Sequence, residues 1–247
     1  MLLVLTVLLG LHPGGVAAAD GMPAVTELPA ASVPAATATA PAVGGHGSPD
    51  PQAALEWESA SAEVRYVASW VARTRDNQVQ PYIVIDKVNA KVYVFDASGR
   101  LQGTTPALLG MVQGDGSAAG LGNRALSAIG PDDRTTPAGR FVASLGRDLK
   151  GQDILWVDYD TSLALHRVVK GTPAERRAQR LASATPLDNR ISYGCINIPV
   201  AAFETLVRPA FSDSSGVVYI LPEMSRASEM FKQDRAGAPA ESPQDDS

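Results

Sequence analysis

The residues of this chain best suited to covalent chemistry are one thiol and one imidazole. Cys195 is the only cysteine, and of the three histidines only His166 lies in a region patterned like a folded domain. A thiol becomes a strong nucleophile when it loses its proton, and a neighbouring imidazole is the usual base. The pair therefore predicts a cysteine nucleophile activated by histidine. Each residue alone has a structural alternative, a buried apolar cysteine or a satisfied core histidine.

Both residues occupy positions from which chemistry is easily exposed. His166 falls near the end of a predicted strand at residues 163–168, and Cys195 follows Gly194 in a turn that we predict to lie just ahead of a helix. A helix N-terminus carries partial positive charge, which would favour the thiolate form of the cysteine. The sequence spacing does not by itself show that the two side chains meet.

The segment around the cysteine resembles a known catalytic signature. Residues 192–197, Ser-Tyr-Gly-Cys-Ile-Asn, are similar to the motif of the L,D-transpeptidase (YkuD-like) family, in which Ser/Thr-His-Gly-Cys precedes an apolar residue and then Asn or Arg. The paired strands predicted at residues 82–95 and the Thr-Pro-x-Gly-x-Phe pattern within residues 134–141 resemble the same family. His166 matches its upstream histidine. The resemblance covers about residues 80–222.

This resemblance implies both a fold and an activity. The fold would be mainly β (α+β), a sandwich with short helices in which the cysteine and the histidine face a cleft. Cys195 would attack the carbonyl between the third and fourth residues of a peptidoglycan stem peptide and release D-Ala. An amine on another stem, or on a wall-anchored protein, would then take the acyl group, while His166 takes and returns protons.

The resemblance also assigns roles around the reacting pair. In the family, backbone N–H groups of the motif form the oxyanion hole, and a backbone carbonyl beside the histidine orients the imidazole ring. These oxyanion and orienting roles fall here on Ser192, Tyr193, Gly194 and Arg167. Loss of one oxyanion donor typically costs about 10²–10³ in rate.

Three departures from the family pattern bear on substrate identity more than on chemistry. Tyr193 stands where the family usually has histidine, and a phenol with a pKa of about 10 is a poor proton shuttle at neutral pH. Arg167 replaces the glycine that commonly follows the histidine. The spacer between His166 and Cys195, residues 167–194, holds 28 residues and is longer than is usual in the family.

The extra length coincides with a predicted helix at residues 173–181, which we interpret as a lid or wall of the cleft. The insertion is basic, and arginine binds carboxylates as a planar fork. We therefore expect Arg190, or one arginine of the insertion, to hold a substrate carboxylate, with Asn197 as a second substrate-binding residue. The alternative for Arg176 and Arg177 is a solvated helix face.

Composition divides the rest of the chain. Residues 1–19 predict a secretory signal peptide, because an apolar run precedes small residues, although no basic residue comes before it. The alternative of an uncleaved anchor is disfavoured, since a spanning helix needs ~20 apolar residues.

Residues 20–52, rich in Ala and Pro, predict a disordered linker. Residues 53–79 predict one N-terminal helix packing on the domain, and residues 223–247 a disordered polar tail.

Charge and residue types limit the expected partners. A net charge of -5 gives no electrostatic reason for a nucleic-acid partner. The predicted domain lacks a tetrahedral metal-ligand set and a nucleotide-binding motif, so no metal and no cofactor are expected. We expect a monomer without stable membrane insertion, periplasmic or secreted and associated with the cell wall. Its expected partners are peptidoglycan stem peptides and an amine acceptor.

Two alternatives to a transpeptidase remain open from the sequence. One is a hydrolase of the same fold, an L,D-carboxypeptidase or amidase in which water replaces the acceptor amine. The other is a non-catalytic cell-wall-binding module, in which Tyr193 and the long spacer mark a degenerate site. Retention of both Cys195 and His166 argues against the binding module.

Overall fold

The computed structural model describes residues 51–117 and 120–232 of the 247-residue chain. The predicted signal peptide, nearly all of the predicted linker and residues 233–247 of the predicted tail lie outside the described residues. Within the two described ranges, no helix combines the length and the apolar character that a membrane span requires.

The strands belong to one large sheet and one small ribbon. In chain order they are β1 Tyr82–Asp86, β2 Lys91–Phe95, β3 Leu101–Pro106, β4 Leu109–Gly110, β5 Gly139–Arg147, β6 Asp153–Asp158, β7 Leu163–Arg167, β8 Arg190–Ser192, β9 Ile196–Ile198 and β10 Gly216–Ile220. The large sheet has eight strands in the order β3-β2-β1-β10-β5-β6-β7-β9, and β4 pairs with β8. The β1–β10 and β7–β9 pairs are parallel.

The large sheet is curved until it nearly closes. Leu108, which lies just beyond β3 at one edge, exchanges two backbone hydrogen bonds with Asn197 in β9 at the other edge, at N···O distances of 2.7 and 2.9 Å. The predicted mainly β fold is therefore confirmed. The predicted two-sheet sandwich is not, because eight of the strands form one continuous sheet.

One half of this sheet is covered on both faces. Ile83 and Ile85 of β1 point into the interior of the curved sheet, whereas Tyr82 and Val84 point outwards under the N-terminal helices, and all four are buried. The continuous apolar sequence of β1 follows from this arrangement, since a strand buried on both faces has no polar alternation.

The helices are short and lie around the sheet. They are α1 Pro51–Glu58, α2 Ala62–Thr74, α3 Arg177–Leu181, α4 Val200–Ala202, α5 Arg208–Ala210 and α6 Ala227–Met230. A π-helical turn at Phe203–Val207 joins α4 to α5. The helical segment continues through Pro209 to Ala210, although proline lacks the backbone N–H that a helix interior normally uses.

The single N-terminal helix predicted at residues 53–79 is two helices. Ser61 ends the connection between them because its extended backbone and its side chain, which accepts from the N–H of Val64, form the N-cap of α2. Its hydroxyl also donates to Asp86 at 2.7 Å, which anchors the break to the end of β1. The helical region also begins at Pro51, within the predicted linker.

The predicted disordered tail from residue 223 is partly wrong. Residues 223–232 are packed on the domain: Ala227 and Phe231 are buried, and the backbone N–H of Ala227 donates to Glu63 of α2 at 2.7 Å. Two well-placed apolar side chains therefore secure a segment whose average composition is polar.

The predicted insertion helix at residues 173–181 is interrupted. A 3-10 turn at Pro173–Glu175 ends at Arg176, whose left-handed backbone (φ 48°) separates it from α3. The change of direction turns the side chain of Arg177 towards the sheet, where it contacts Asn197 of β9.

Candidate active site

The register of two parallel strands brings the predicted catalytic residues together. Leu165 of β7 pairs with Ile196 of β9, and His166 pairs with Asn197. Because Leu165 and Ile196 both enter the core, the alternation of side chains puts His166 and Asn197 on the opposite face. Cys195 precedes β9 by one residue, so the same alternation, continued by one position, places it on that face. Its Sγ is hydrogen-bonded to the carbonyl oxygen of Ser162 and not to the imidazole.

His166 is held in the tautomer that a general base requires. Its Nδ1 lies 2.8 Å from the carbonyl oxygen of Arg167. A carbonyl oxygen only accepts, so Nδ1 carries the hydrogen and Nε2 presents a free lone pair. Burial, and secondarily the charge of Arg177, lower the pKa of His166 below its ordinary value, although the bond to the Arg167 carbonyl acts in the opposite direction. The ring is therefore neutral at pH 7.

Cys195 rests as a protonated thiol. It is half-buried, and its Sγ donates to the carbonyl oxygen of Ser162 at 3.6 Å. Burial raises the pKa of the thiol, and the N–H groups of Ala164 and of Cys195 itself only partly offset that rise. The predicted stabilisation by a helix N-terminus is wrong, because β9 follows the cysteine and α4 begins only at Val200.

The turn that carries the cysteine is rigid. Gly194 has a φ of 130°, and a Cβ there would lie 2.7 Å from the carbonyl oxygen of Thr135, so only glycine fits. The N–H of Gly194 donates to Ser192 Oγ at 3.1 Å, and this hydroxyl donates to the Cys195 carbonyl at 2.7 Å. Thr136 Oγ1 donates to the Gly194 carbonyl at 2.7 Å.

These bonds revise the predicted oxyanion hole. The N–H of Gly194 is already used within the turn, so Ser192 and Gly194 shape the loop and do not donate to a reacting carbonyl. Among the described residues, the backbone N–H groups of Tyr193 and Cys195 are the motif donors left near the sulfur.

Tyr193 stands on the rim of the site. Its side chain is 38% exposed, and the guanidinium carbon of Arg134 lies 4.0 Å from the centre of its ring. Arg134 is itself tied to the carbonyl oxygen of Ile129 at 3.2 Å. The stacked guanidinium of Arg134 holds the Tyr193 ring in place, so the ring forms a wall of the site. The Tyr193 ring thus offers a surface at the rim of the site.

A cavity of about 230 Å³ opens beside the sulfur. Cys195, Gly194 and Tyr193 form one side of it. The other walls are residues 161–163 and seven residues that precede β5, namely Ser117, Leu121, Gly122, Arg124, Ile129, Thr135 and Pro137. These two outer walls are in contact, since Ser162 Oγ donates to the carbonyl oxygen of Gly122 at 3.4 Å. His166 is not among the lining residues, so this space approaches the pair from the side of the cysteine.

Arg190 is not free to bind substrate, contrary to our expectation. Its side chain is 8% exposed, pairs with Glu223 and donates to the carbonyl oxygen of Lys87 at 2.9 Å. Lys87 is fully buried and bonds Asp115 Oδ1 at 2.8 Å and the Thr136 carbonyl at 2.9 Å. This charge cluster supports the segment around Thr136, whose carbonyl accepts from Lys87 and whose hydroxyl donates to the Gly194 carbonyl. Nothing in the sequence pattern had marked Lys87, Asp115 or Glu223.

Asn197 is also structural rather than substrate-binding. It is 2% exposed, and its Nδ2 donates to the carbonyl oxygen of Cys195 at 3.1 Å. Its Oδ1 accepts from Arg177 Nη1 at 3.1 Å. The side chain of Arg167 points away from the cleft: it pairs with Glu204 and lies over the ring of Phe203. Only the carbonyl of Arg167 serves the site.

Within residues 51–117 and 120–232, no group of three or more His, Cys, Asp or Glu side chains is arranged to hold a metal ion. The side chains in this region of the fold are one thiol, one imidazole, one amide and one guanidinium, of which the amide and the guanidinium are hydrogen-bonded to each other. These groups suit proton transfer and nucleophilic attack.

Comparisons with known proteins leave the chain without an established family. No protein-family model and no curated protein sequence matches it. Similar solved structures include a fused Zn-dependent amidase/peptidase/peptidoglycan-binding domain-containing protein from Clostridium acetobutylicum, with 16% identity and a TM-score of 0.34 over 70% of this chain and 63% of that chain. Another is the helical cell shape determining protein Pgp2 from Campylobacter jejuni, with 12% identity and a TM-score of 0.37 over 70% and 62% of the two chains.

This chain therefore spans less than two thirds of either structure. Similarity at this level does not decide the chemistry, which rests on the geometry of the site itself.

Proposed function

We propose that this protein is a cysteine acyltransferase of the L,D-transpeptidase type, which acts on peptidoglycan stem peptides through a thioester on Cys195. The observation that carries the proposal is the state of His166. Its Nδ1 is bound to the Arg167 carbonyl, which leaves Nε2 unprotonated on the same face of two paired strands as the thiol. A nucleophile beside an oriented base is the arrangement that covalent acyl transfer needs.

The proposed reaction has two steps. Nε2 of His166 takes the thiol proton as Sγ attacks the peptide carbonyl, and the N–H groups of Tyr193 and Cys195 donate to the oxyanion. The C–N bond then breaks, the leaving amine takes the proton from Nε2, and a thioester remains. In the second step an acceptor amine attacks the thioester, His166 takes its proton, and the thiol is restored.

The neutral resting pair fits this sequence of events. Because burial raises the pKa of the thiol and lowers that of the imidazole, Cys195 and His166 do not form a permanent ion pair. Proton transfer accompanies attack, so His166 acts as a general base. The Ser162 carbonyl that accepts from the thiol holds the sulfur at the wall of the cavity until a substrate arrives.

The N-terminal sequence supports an extracytoplasmic place of action, where stem peptides occur. The apolar run followed by small residues at 1–19 is typical of an export signal. We accordingly propose that the protein works in the periplasm or outside the cell, in contact with the wall.

Product analysis tests this proposal. The protein is incubated with a tetrapeptide stem as donor, with and without a second stem that carries a free side-chain amine and an amidated C-terminus. We expect release of the fourth residue, a transient enzyme mass larger by the tripeptide acyl group, and a cross-linked product when the amine is present. Cys195→Ala is expected to give none of these.

Two other outcomes identify the alternatives. Free tripeptide with no cross-link, even at high acceptor concentration, would show a carboxypeptidase or amidase. An unchanged tetrapeptide, together with retention of the protein and of Cys195→Ala on insoluble peptidoglycan, would show a binding module and overturn the proposal.

A further inference from the structure

The insertion between β7 and β8 sends one charged side chain into the site. Of its arginines, Arg176 is exposed, and Arg180 binds the carbonyl oxygens of Glu175 and Asp188 at 2.8 and 2.6 Å, within the insertion itself. Arg177 alone among them crosses to β9, where Nη1 donates to Asn197 Oδ1 at 3.1 Å. Its side chain is only 12% exposed.

Arg177 is fixed in position before any ligand binds. Nε donates to Glu175 Oε2 at 2.6 Å, and Asn197 is in turn tied through Nδ2 to the carbonyl oxygen of Cys195 at 3.1 Å. A guanidinium held in this way loses little rotamer freedom when it binds a further partner. Among the described residues no hydrogen bond or ion pair engages Nη2, so at least one edge of the planar fork can still take a polar partner.

The guanidinium lies on the histidine side of the reacting pair. Asn197, which it contacts, is the register partner of His166, and its charge is one of the causes that lower the pKa of His166. The 230 Å³ cavity lies on the cysteine side and does not include His166. The two reacting residues therefore separate this cavity, whose lining includes Arg124 paired with Asp133, from the side on which Arg177 lies paired with Glu175.

This placement has a chemical consequence for the proposed acyl transfer. The leaving amine must approach Nε2 of His166 to take its proton, so the leaving residue lies on the same side as Arg177. In a C-terminal residue, one carbon separates that amine from a free carboxylate. We infer that Arg177 binds the free carboxylate of the leaving residue and so restricts the enzyme to the last peptide bond of a chain.

This inference rests on the proposed function but has a test that does not need acyl transfer. Cys195, the only thiol, is alkylated with iodoacetate and with iodoacetamide, which differ by one carboxylate. The ratio of the two rates reports whether an anion is favoured beside the sulfur, and variation in thiol reactivity cancels in that ratio. We expect the ratio to fall several-fold in Arg177→Gln and to stay at the wild-type value in the matched control Arg176→Gln.

The peptide arm uses the tetrapeptide stem and its C-terminal amide. In the wild type we expect the acid to be used at least roughly tenfold more efficiently, the order expected for one charge-assisted hydrogen bond. Arg177→Gln should remove that preference, because KM rises more for the acid than for the amide. Arg177→Lys, which keeps the charge without the fork, should restore part of it.

The outcomes separate the two proposals. An unchanged alkylation ratio in Arg177→Gln, or an equal fall in Arg176→Gln, would overturn the carboxylate site even if transpeptidation is observed. A fall confined to Arg177→Gln would support it even if the wild type leaves every stem peptide uncut, in which case only the proposed reaction fails. Thermal unfolding of each variant shows whether the insertion is still folded.

Discussion

The two halves of the curved sheet are built on different physical principles. Around β1, β2 and β10 both faces are covered by apolar side chains, and helices α1 and α2 complete the layer. Around β7 and β9, and in the neighbouring strand β8, the chain instead uses a glycine with positive φ and side-chain bonds to backbone carbonyls. Arg190 joins β8 to the charge cluster that Lys87 and Glu223 form just beyond the ends of β1 and β10. The first half supplies stability without chemistry. The second uses polar contacts to fix the positions of Cys195 and His166.

A substitution in the buried charge cluster is expected to have the largest effect. It should change both the stability of the fold and the rate at which Cys195 is acylated. Glu223→Gln removes the carboxylate that faces Arg190 and Lys87, whose side chains are 8% and 0% exposed. Breaking a buried pair from one side typically costs about 3–5 kcal/mol. We expect a loss of that order in urea unfolding together with slower acylation of Cys195. The exposed Glu229 offers a control: Glu229→Gln should change neither, and a silent Glu223→Gln would contradict the role of the cluster.

A truncation in the apolar half should affect stability alone. Ile85 is fully buried in the core, and an isoleucine-to-alanine change in such a site costs about 2–5 kcal/mol. Ile85→Ala should lower the unfolding free energy by that order, while the rate of Cys195 acylation well below the melting temperature stays unchanged. Leu149, which is 95% exposed, is the control, and Leu149→Ala should be silent. A large change of acylation rate in Ile85→Ala would contradict the conclusion that the apolar half supplies stability alone.

Substitution of Gly194 should affect the rate of acylation more than the stability of the fold. Gly194→Ala forces a Cβ to within 2.7 Å of the Thr135 carbonyl at a φ of 130°, and strain of this kind costs about 1–3 kcal/mol. Because the turn that carries Cys195 must shift, we expect acylation to slow by roughly a hundredfold, the effect of displacing an oxyanion donor. Gly116 has nothing within 4 Å of a built Cβ, so Gly116→Ala should leave both quantities unchanged.

The smallest expected effect is on pH dependence. The pKa of His166 is lowered first by burial and then by Arg177 of α3, while the Arg167 carbonyl and Asp148 of the β5–β6 hairpin act in the opposite direction. A base works only above its pKa, so acylation should be flat near neutral pH and fall only below the ordinary histidine value of about 6.5. Removing a cation raises the pKa, so Arg177→Gln should move this acid limb to higher pH.

Rates of acylation measured between pH 5 and pH 8 check that prediction. The Arg176→Gln profile should coincide with that of the wild type. A limb that moves to lower pH in Arg177→Gln would show that the sign assigned to the Arg177 charge is wrong.

The same division between halves explains what the sequence could predict. The apolar strands at residues 82–86 and 91–95 follow from local pattern, because residues buried on both faces must be apolar. Cys195 and His166 could be singled out because each is the only residue of its type in the predicted domain. Residue type was enough to find these features, although only the register of β7 and β9 brings the two residues to one face.

The remainder depends on contacts between distant parts of the chain. Lys87 and Glu223 are 136 positions apart in number, and their pairing leaves no local pattern in the sequence. Arg190 and Arg177 are the same residue type, so the sequence alone does not distinguish them. In the structure Arg190 is buried in an ion pair with Glu223, whereas Arg177 contacts Asn197 at the site. The positive φ of Arg176, which breaks the predicted helix, decides that difference. Tertiary contact therefore overrides local propensity at these points.

The central claim is that Cys195 is an acyl-accepting thiol activated by His166. It is tested most directly by intact mass after incubation with a carbapenem, a class of compounds that acylates the cysteine of L,D-transpeptidases. We expect one adduct on the wild type, none on Cys195→Ala, and formation slowed by about 10²–10⁴ in His166→Ala. A folded wild type that stays unmodified, while its thiol still reacts with iodoacetamide, would contradict the account and favour a wall-binding module.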